Sequence, residues 1–121
     1  MQLLHIAHRS DWEEGCLAGA YTTSTRGATL AEVGFIHAAT AEQVDGVAHS
    51  FYRDDPAELV VLVIDADAVR SAGIDVRHED GGDGTAFPHI YGPLDPAWVT
   101  EVRTARFEGV RFIMQTTSVS T

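Results

Sequence analysis

The chain has 121 residues, 18 of them acidic and 8 basic, for a formal net charge of -10 with histidine neutral. Every basic residue is Arg, there is no Lys and no Asn, and Cys16 is the single Cys. These counts exclude a Schiff-base or pyridoxal enzyme, a P-loop lysine, an internal disulfide, a C-x-x-C redox pair and a zinc ribbon, and the negative field excludes a general nucleic-acid binder.

In chain order, Leu3 to Ala7 reads as a first strand. Ser10-Asp11-Trp12-Glu13 is a capping-box sequence that opens a helix to about Gly19, with Cys16 expected as a core thiol on its apolar side. Residues 21–33 are irregular, with one helical turn at 29–33. Gly34 to Ala39 reads as a strand. Thr40-Ala41-Glu42-Gln43 is a second capping box, and Val44, Val47, Ala48 and Phe51 form one apolar face of the helix after it. Leu59 to Ile64 is a continuous apolar run, predicted as a central strand buried on both faces. A short helix over 65–73 and a strand over 74–79 follow, then a glycine loop at 80–84 that reads as flexible. Phe87 to Leu94 lies between prolines, Asp95-Pro96 starts a helical turn, and strands are predicted over 99–107 and 110–113.

The sum is an α+β fold: a single compact domain over residues 1–114, with a mixed or antiparallel split sheet of five to six strands and two main helices. Residues 115–121 read as a flexible tail. There is no signal-peptide pattern and no apolar run near the ~20 residues of a membrane span, so the expectation is a cytoplasmic protein without membrane contact, monomer or homodimer.

Polar residues inside apolar strand text are the candidates for function. Leu3, His5 and Ala7 share one strand face, Phe35, His37 and Ala39 another, and Phe87, His89 and Tyr91 a third if that segment is extended. Each histidine can be structural, satisfied by a backbone carbonyl. Three convergent ones would mark a pocket, so His5, His37 and His89 are expected on one cavity. Thr40 reads as a helix cap, or as part of an anion site at the same helix start. Glu79 reads as half of an exposed ion pair with Arg77, or as a carboxylate that orients a hydroxyl or stabilises a positive centre. His5, His37, His89 and Glu79 are suitable metal-ligand types, but no local spacing fixes a metal site. The ring residues Trp12, Trp98 and the five Phe are expected in the core.

Leu4-His5-Ile6, the run Gly34 to Val44 with its Gly-Phe-Ile-His, Leu59 to Asp65, Val76 to Glu79 and Phe87-Pro88-His89-Ile90-Tyr91-Gly92 together resemble a small bacterial family of unknown function, DUF952, over nearly the whole chain. The order of elements also resembles the compact ADP-ribosyltransferase fold, in its RNA 2′-phosphotransferase branch. That resemblance implies NAD held in a cleft between two small sheets and transfer of ADP-ribose or phosphate. It implies catalytic roles for His37, Glu79 and His89, and cofactor contacts from His5, Thr40 and Tyr91. Ala39 stands where that branch carries a hydroxyl, and the arginines that would read a phosphorylated RNA have no clear counterparts. The alternative is a non-catalytic module that binds a small molecule or nucleotide in a histidine-lined pocket.

Overall fold

The computed structural model describes residues 1–80 and 84–116; most of the expected glycine loop, at 81–83, and the end of the tail, 117–121, lie outside the described residues. β1 (Gln2–His8) pairs with β3 (Leu59–Asp65), β3 with β6 (Val99–Glu108), and β6 with β7 (Arg111–Thr116), forming a four-stranded sheet. β5 (Ala86–Ile90) lies between β2 (Ile36–His37) and β4 (Val76–Asp80) in a three-stranded sheet. Every strand pairing is antiparallel. Of the expected mixed or antiparallel arrangement, the antiparallel one is present among the described residues. The helical connections out of β2 and β3 lead to a strand of the other sheet, not to a parallel neighbour in the same one. An isolated bridge between Leu4 and Ala39 couples the two sheets at the edge of β1.

Among the described residues seven strands replace the expected five to six, and β5 is the one that Pro88 hides from a sequence rule. Pro88 has no N–H for a ladder, which argues against a middle strand. Here its carbonyl is used instead, accepting the Ala38 N–H at 2.9 Å. β7 continues through Thr116, so it takes the first two residues of the predicted tail.

β3 is buried along Leu59 to Ile64, as its unbroken apolar text predicts. One face of the four-stranded sheet, carrying Leu3, Ala7, Val60, Leu62 and Ile64, packs on Tyr21, Ile36, Val69, Ile90 and Leu94. The other, carrying Leu4, Ile6, Val61 and Val63, packs on Val44, Val47 and Ala48 of α3 (Val44–Phe51) and on Tyr52. At ~1.5–3 kcal/mol for each fully buried large side chain, this double burial is the main source of stability.

Three local expectations are corrected. α1 (Arg9–Ala18) starts ahead of Ser10, with His8 as N-cap and no side-chain cap bond. Cys16 is exposed; the buried residue of α1 is Gly15, whose missing Cβ lets Tyr21 approach. Phe51 is 45% exposed and leaves the core face of α3 to Val44, Val47 and Ala48. The full capping box belongs to α2 (Leu30–Val33), where Thr29 and Glu32 exchange bonds. α4 (Ala66–Ser71) is capped by the Asp65 carboxylate, which accepts from Asp67 N–H at 3.0 Å and Ala68 N–H at 3.3 Å. No helix among the described residues is long and apolar enough to cross a membrane.

Candidate functional site

His37 and His89 are cross-strand partners in the β2–β5 pair. Partners directly opposite in an antiparallel ladder put their side chains on the same face, and the two imidazoles lie 5.4 Å apart between centroids. Phe35 stacks on His89 at 3.9 Å and an interplanar angle of 13°. Phe87 and Phe51 approach His37 at 5.2 and 6.1 Å. Burial, and then the neighbouring His89, lower the His37 pKa to about 4, so its ring is uncharged at neutral pH.

Glu79 holds His89 from β4. Its Oε1 accepts from His89 Nδ1 at 2.8 Å and from the Tyr91 hydroxyl. The Tyr91 bond first, and the His89 bond second, keep the Glu79 carboxyl below its usual range. An ionised carboxylate only accepts, so Nδ1 carries a proton, and in the neutral ring Nε2 is the nitrogen with the lone pair. The same bond to Glu79 raises the Tyr91 hydroxyl pKa. Arg77 sits 4.5 Å above the Tyr91 ring and is paired with Asp75 at 3.1 Å, not with Glu79. The exposed ion-pair reading of Glu79 is thus replaced by a carboxylate bonded to two partly or fully buried groups.

His5 is elsewhere. It is 2% exposed and both ring nitrogens are used inside the protein. Nδ1 donates to the His37 carbonyl at 2.6 Å, which leaves Nε2 to accept from the Tyr21 hydroxyl at 2.8 Å. Burial lowers its pKa to about 4, partly opposed by the bond to the carbonyl. The expectation of three histidines on one cavity is corrected to two, because a ring with both nitrogens bonded inside has none to offer a ligand. Thr40 does not reach the cavity wall either. Its N–H donates to Gln43 Oε1 at 3.1 Å, half of the predicted capping box, while α3 begins at Val44 with Gln43 as N-cap and no side-chain cap bond.

The cavity is an open cleft of about 650 Å³ between α3 and the three-stranded sheet. His37, His89, Phe35 and Phe87 come from the β2–β5 side, and Gln43, Gly46, Val47, Ser50 and Phe51 from one face of α3. Residues of the four-stranded sheet do not line it, so it is not the cleft between two sheets that the second resemblance implies. Among the described residues its charged side chains are Glu42 and Asp80. The α3 face was missed in the sequence; its signal is the polar or small set Gln43, Gly46 and Ser50, spaced i, i+3, i+7 beside the apolar face. Gln43 also ties the helix to β5, donating from Nε2 to the Ala86 carbonyl at 2.7 Å. Among the described residues no three His, Cys, Asp or Glu side chains gather as a metal-binding set.

Residues 6–102 match the family described as protein of unknown function (DUF952). The crystal structure of protein CC0527 from Caulobacter crescentus is similar at a TM-score of 0.78 and 26% identity, covering 95% of this chain and 94% of that one. The solution NMR structure of CC0527 gives a TM-score of 0.71 at 24% identity over 92% and 90% of the two chains. Comparison with the curated proteins finds no match.

Proposed function

The chain belongs to the DUF952 family of proteins of unknown function, and we propose that its cleft binds a small organic molecule through a planar ring, with the Glu79–His89 pair moving a proton at the ligand's edge. One observation carries this reading. His89 stands in the wall of a cleft of ligand-sized volume while its Nδ1 is bonded to an ionised carboxylate. With Nδ1–H committed to Glu79, Nε2 is the basic nitrogen. A proton taken there leaves an imidazolium beside an anion, the logic of an oriented general base. His37, uncharged at neutral pH, offers a second donor or acceptor next to it. Phe35, Phe51 and Phe87 offer ring faces and edges for a planar ligand.

NAD is the member of this ligand class that the ADP-ribosyltransferase resemblance implies, with transfer of ADP-ribose or phosphate as the reaction. The pair of small antiparallel sheets supports that likeness. The absence of Arg from the described cleft wall argues for recognition of a ring ahead of recognition of a pyrophosphate. The test is a thermal-shift series with nicotinamide, adenosine, NAD and ADP-ribose, on the wild type and on His89→Ala. The expected result is stabilisation by ring-bearing compounds that disappears in the variant. With NAD, nicotinamide release that is lost in His37→Ala marks the transferase. No stabilisation by any of them at millimolar concentration overturns the reading. A module without chemistry keeps its ligand-dependent shift in Glu79→Gln and turns nothing over.

A further inference from the structure

The ladder position of the two cleft histidines matters as much as their identity. The Ala38 N–H donates to the Pro88 carbonyl beside the pair. That bond makes His37 and His89 a non-hydrogen-bonded pair, the kind whose side chains stand closest in an antiparallel ladder. The His37 backbone bonds instead to His5 and Ser24. Independently of ring binding, we propose that the pair is a site for a divalent transition-metal ion of the zinc, nickel or copper kind, taken through Nε2 of His89 and one ring nitrogen of His37.

Among the described residues no hydrogen bond reaches Nε2 of His89 or either ring nitrogen of His37, and no buried side-chain nitrogen or oxygen lacks a partner. These nitrogens therefore open onto the cleft that both residues line. A tetrahedral ion held at ~2.0–2.1 Å by two imidazoles sets their centroids about 5 Å apart. Here they stand 5.4 Å apart. Glu79 fixes the His89 ring through Nδ1 at 2.8 Å, the carboxylate–histidine arrangement that orients a metal-bound imidazole and raises its basicity. His37, held at a pKa of about 4 by burial, has no proton to give up to a metal at neutral pH. His5, with both nitrogens bonded inside, has no ligand atom to offer.

Imidazole nitrogens suit these ions and not Mg²⁺ or Ca²⁺, which demand oxygen ligands. No third His, Cys, Asp or Glu joins the pair among the described residues. The other coordination positions fall to water or to a donor atom of a molecule in the cleft, so the ion is exchangeable. Metal and proton compete for Nε2 of His89, which makes the occupied site and the general base alternative states of one residue.

Titration calorimetry of the full chain with Zn²⁺ alone, at about pH 7, tests the site. One ion per chain is expected, with no response to Mg²⁺. Glu79→Gln should weaken Zn²⁺ binding about tenfold, and His37→Ala and His89→Ala at least as much. His49, beside Asp45 on α3, and His78, on β4, are the rival donors, and His49→Ala and His78→Ala should leave the affinity unchanged. Paramagnetic Co²⁺ gives a readout on the unaltered chain: the imidazole resonances of His37 and His89 should broaden before those of His49 and His78. No heat with Zn²⁺ at sub-millimolar concentration, an equal response to Mg²⁺, an affinity that survives both His37→Ala and His89→Ala, or first broadening at His49 or His78 overturns the metal site. Thermal shifts with organic ligands, run in the presence of a chelator, report ring binding separately, so either inference can fail alone.

Discussion

His5 and His89 are both buried and both lie in strands, yet one is closed on every side by its own protein and the other keeps a nitrogen uncommitted. The closed cluster runs from the Tyr21 hydroxyl through His5 to the His37 carbonyl, and from the His37 N–H to Ser24 Oγ at 3.2 Å. The open cluster runs from Glu79 and Tyr91 to His89, then to His37 and the cleft. The residue type is the same; what differs is the second partner of the ring. A carbonyl plus a hydroxyl exhausts an imidazole, whereas a single carboxylate orients it and leaves a base.

The largest expected effect breaks the closed cluster. His5→Ala leaves the Tyr21 hydroxyl and the His37 carbonyl buried without their partner and opens a void, so it should cost ~3–5 kcal/mol in denaturant unfolding. His37→Ala, on the cleft side, should cost only ~1 kcal/mol while abolishing ligand-dependent stabilisation. Equal losses for both would mean that the two clusters are one structural unit.

Acid tests the same contrast. Burial holds the His5 and His37 rings at pKa values of about 4 in the folded protein, against the ordinary 6.5 of an imidazole. Between those values the unfolded chain binds protons that the folded one refuses, so stability falls as pH drops from 6.5 toward 4. The loss for His5 alone should approach ~3 kcal/mol. Urea midpoints across that range measure it, and a flat profile would show that these rings do not stay neutral in the fold. His5→Gln should remove one titrating group and reduce the slope.

Two glycines sharpen the comparison between packed and open surface. A Cβ at Gly15 would sit 2.9 Å from Tyr21 Cα, whereas at Gly46 it would meet nothing within 4 Å. Gly15→Ala should destabilise by ~1–2 kcal/mol in spite of its better helix propensity. Gly46→Ala should stabilise by ~0.5–1 kcal/mol, and the larger Gly46→Phe should block the cleft while the fold melts at or near its normal temperature. A large loss of stability in Gly46→Phe would place that position in the packed interior. Binding that survives Gly46→Phe would move the ligand out of the cleft.

Much of the fold is legible in the sequence because its signals are local. The apolar run of β3 predicts its double burial, and Gly109, with φ at +62°, closes the β6–β7 hairpin where Glu108-Gly109 suggests a turn. β5 is illegible because the Pro88 carbonyl, not its nitrogen, makes the tertiary bond. In the site, the motifs that carry His37, His89 and Glu79 already stand out, but the β2–β5 register that pairs the two histidines does not. His5 misleads, since nothing local says that its two nitrogens meet a carbonyl 32 residues away and a hydroxyl 16 residues away. Phe35, Phe51 and Phe87 mislead in the opposite sense, because periodicity assigns aromatic residues to a core and cannot report that a helix stands off and leaves their rings lining a gap.

β2 is two residues long, and His37 belongs to both clusters: its backbone is held by His5 and Ser24, and its side chain faces Phe51, Phe87 and His89. Brace and cleft are therefore linked functions of one residue's position. Occupying the cleft should slow amide exchange in the Tyr21–Ser24 segment. Protonating His5 should in turn appear at a distance as weakened ligand affinity, by the reciprocity that any shared equilibrium obeys.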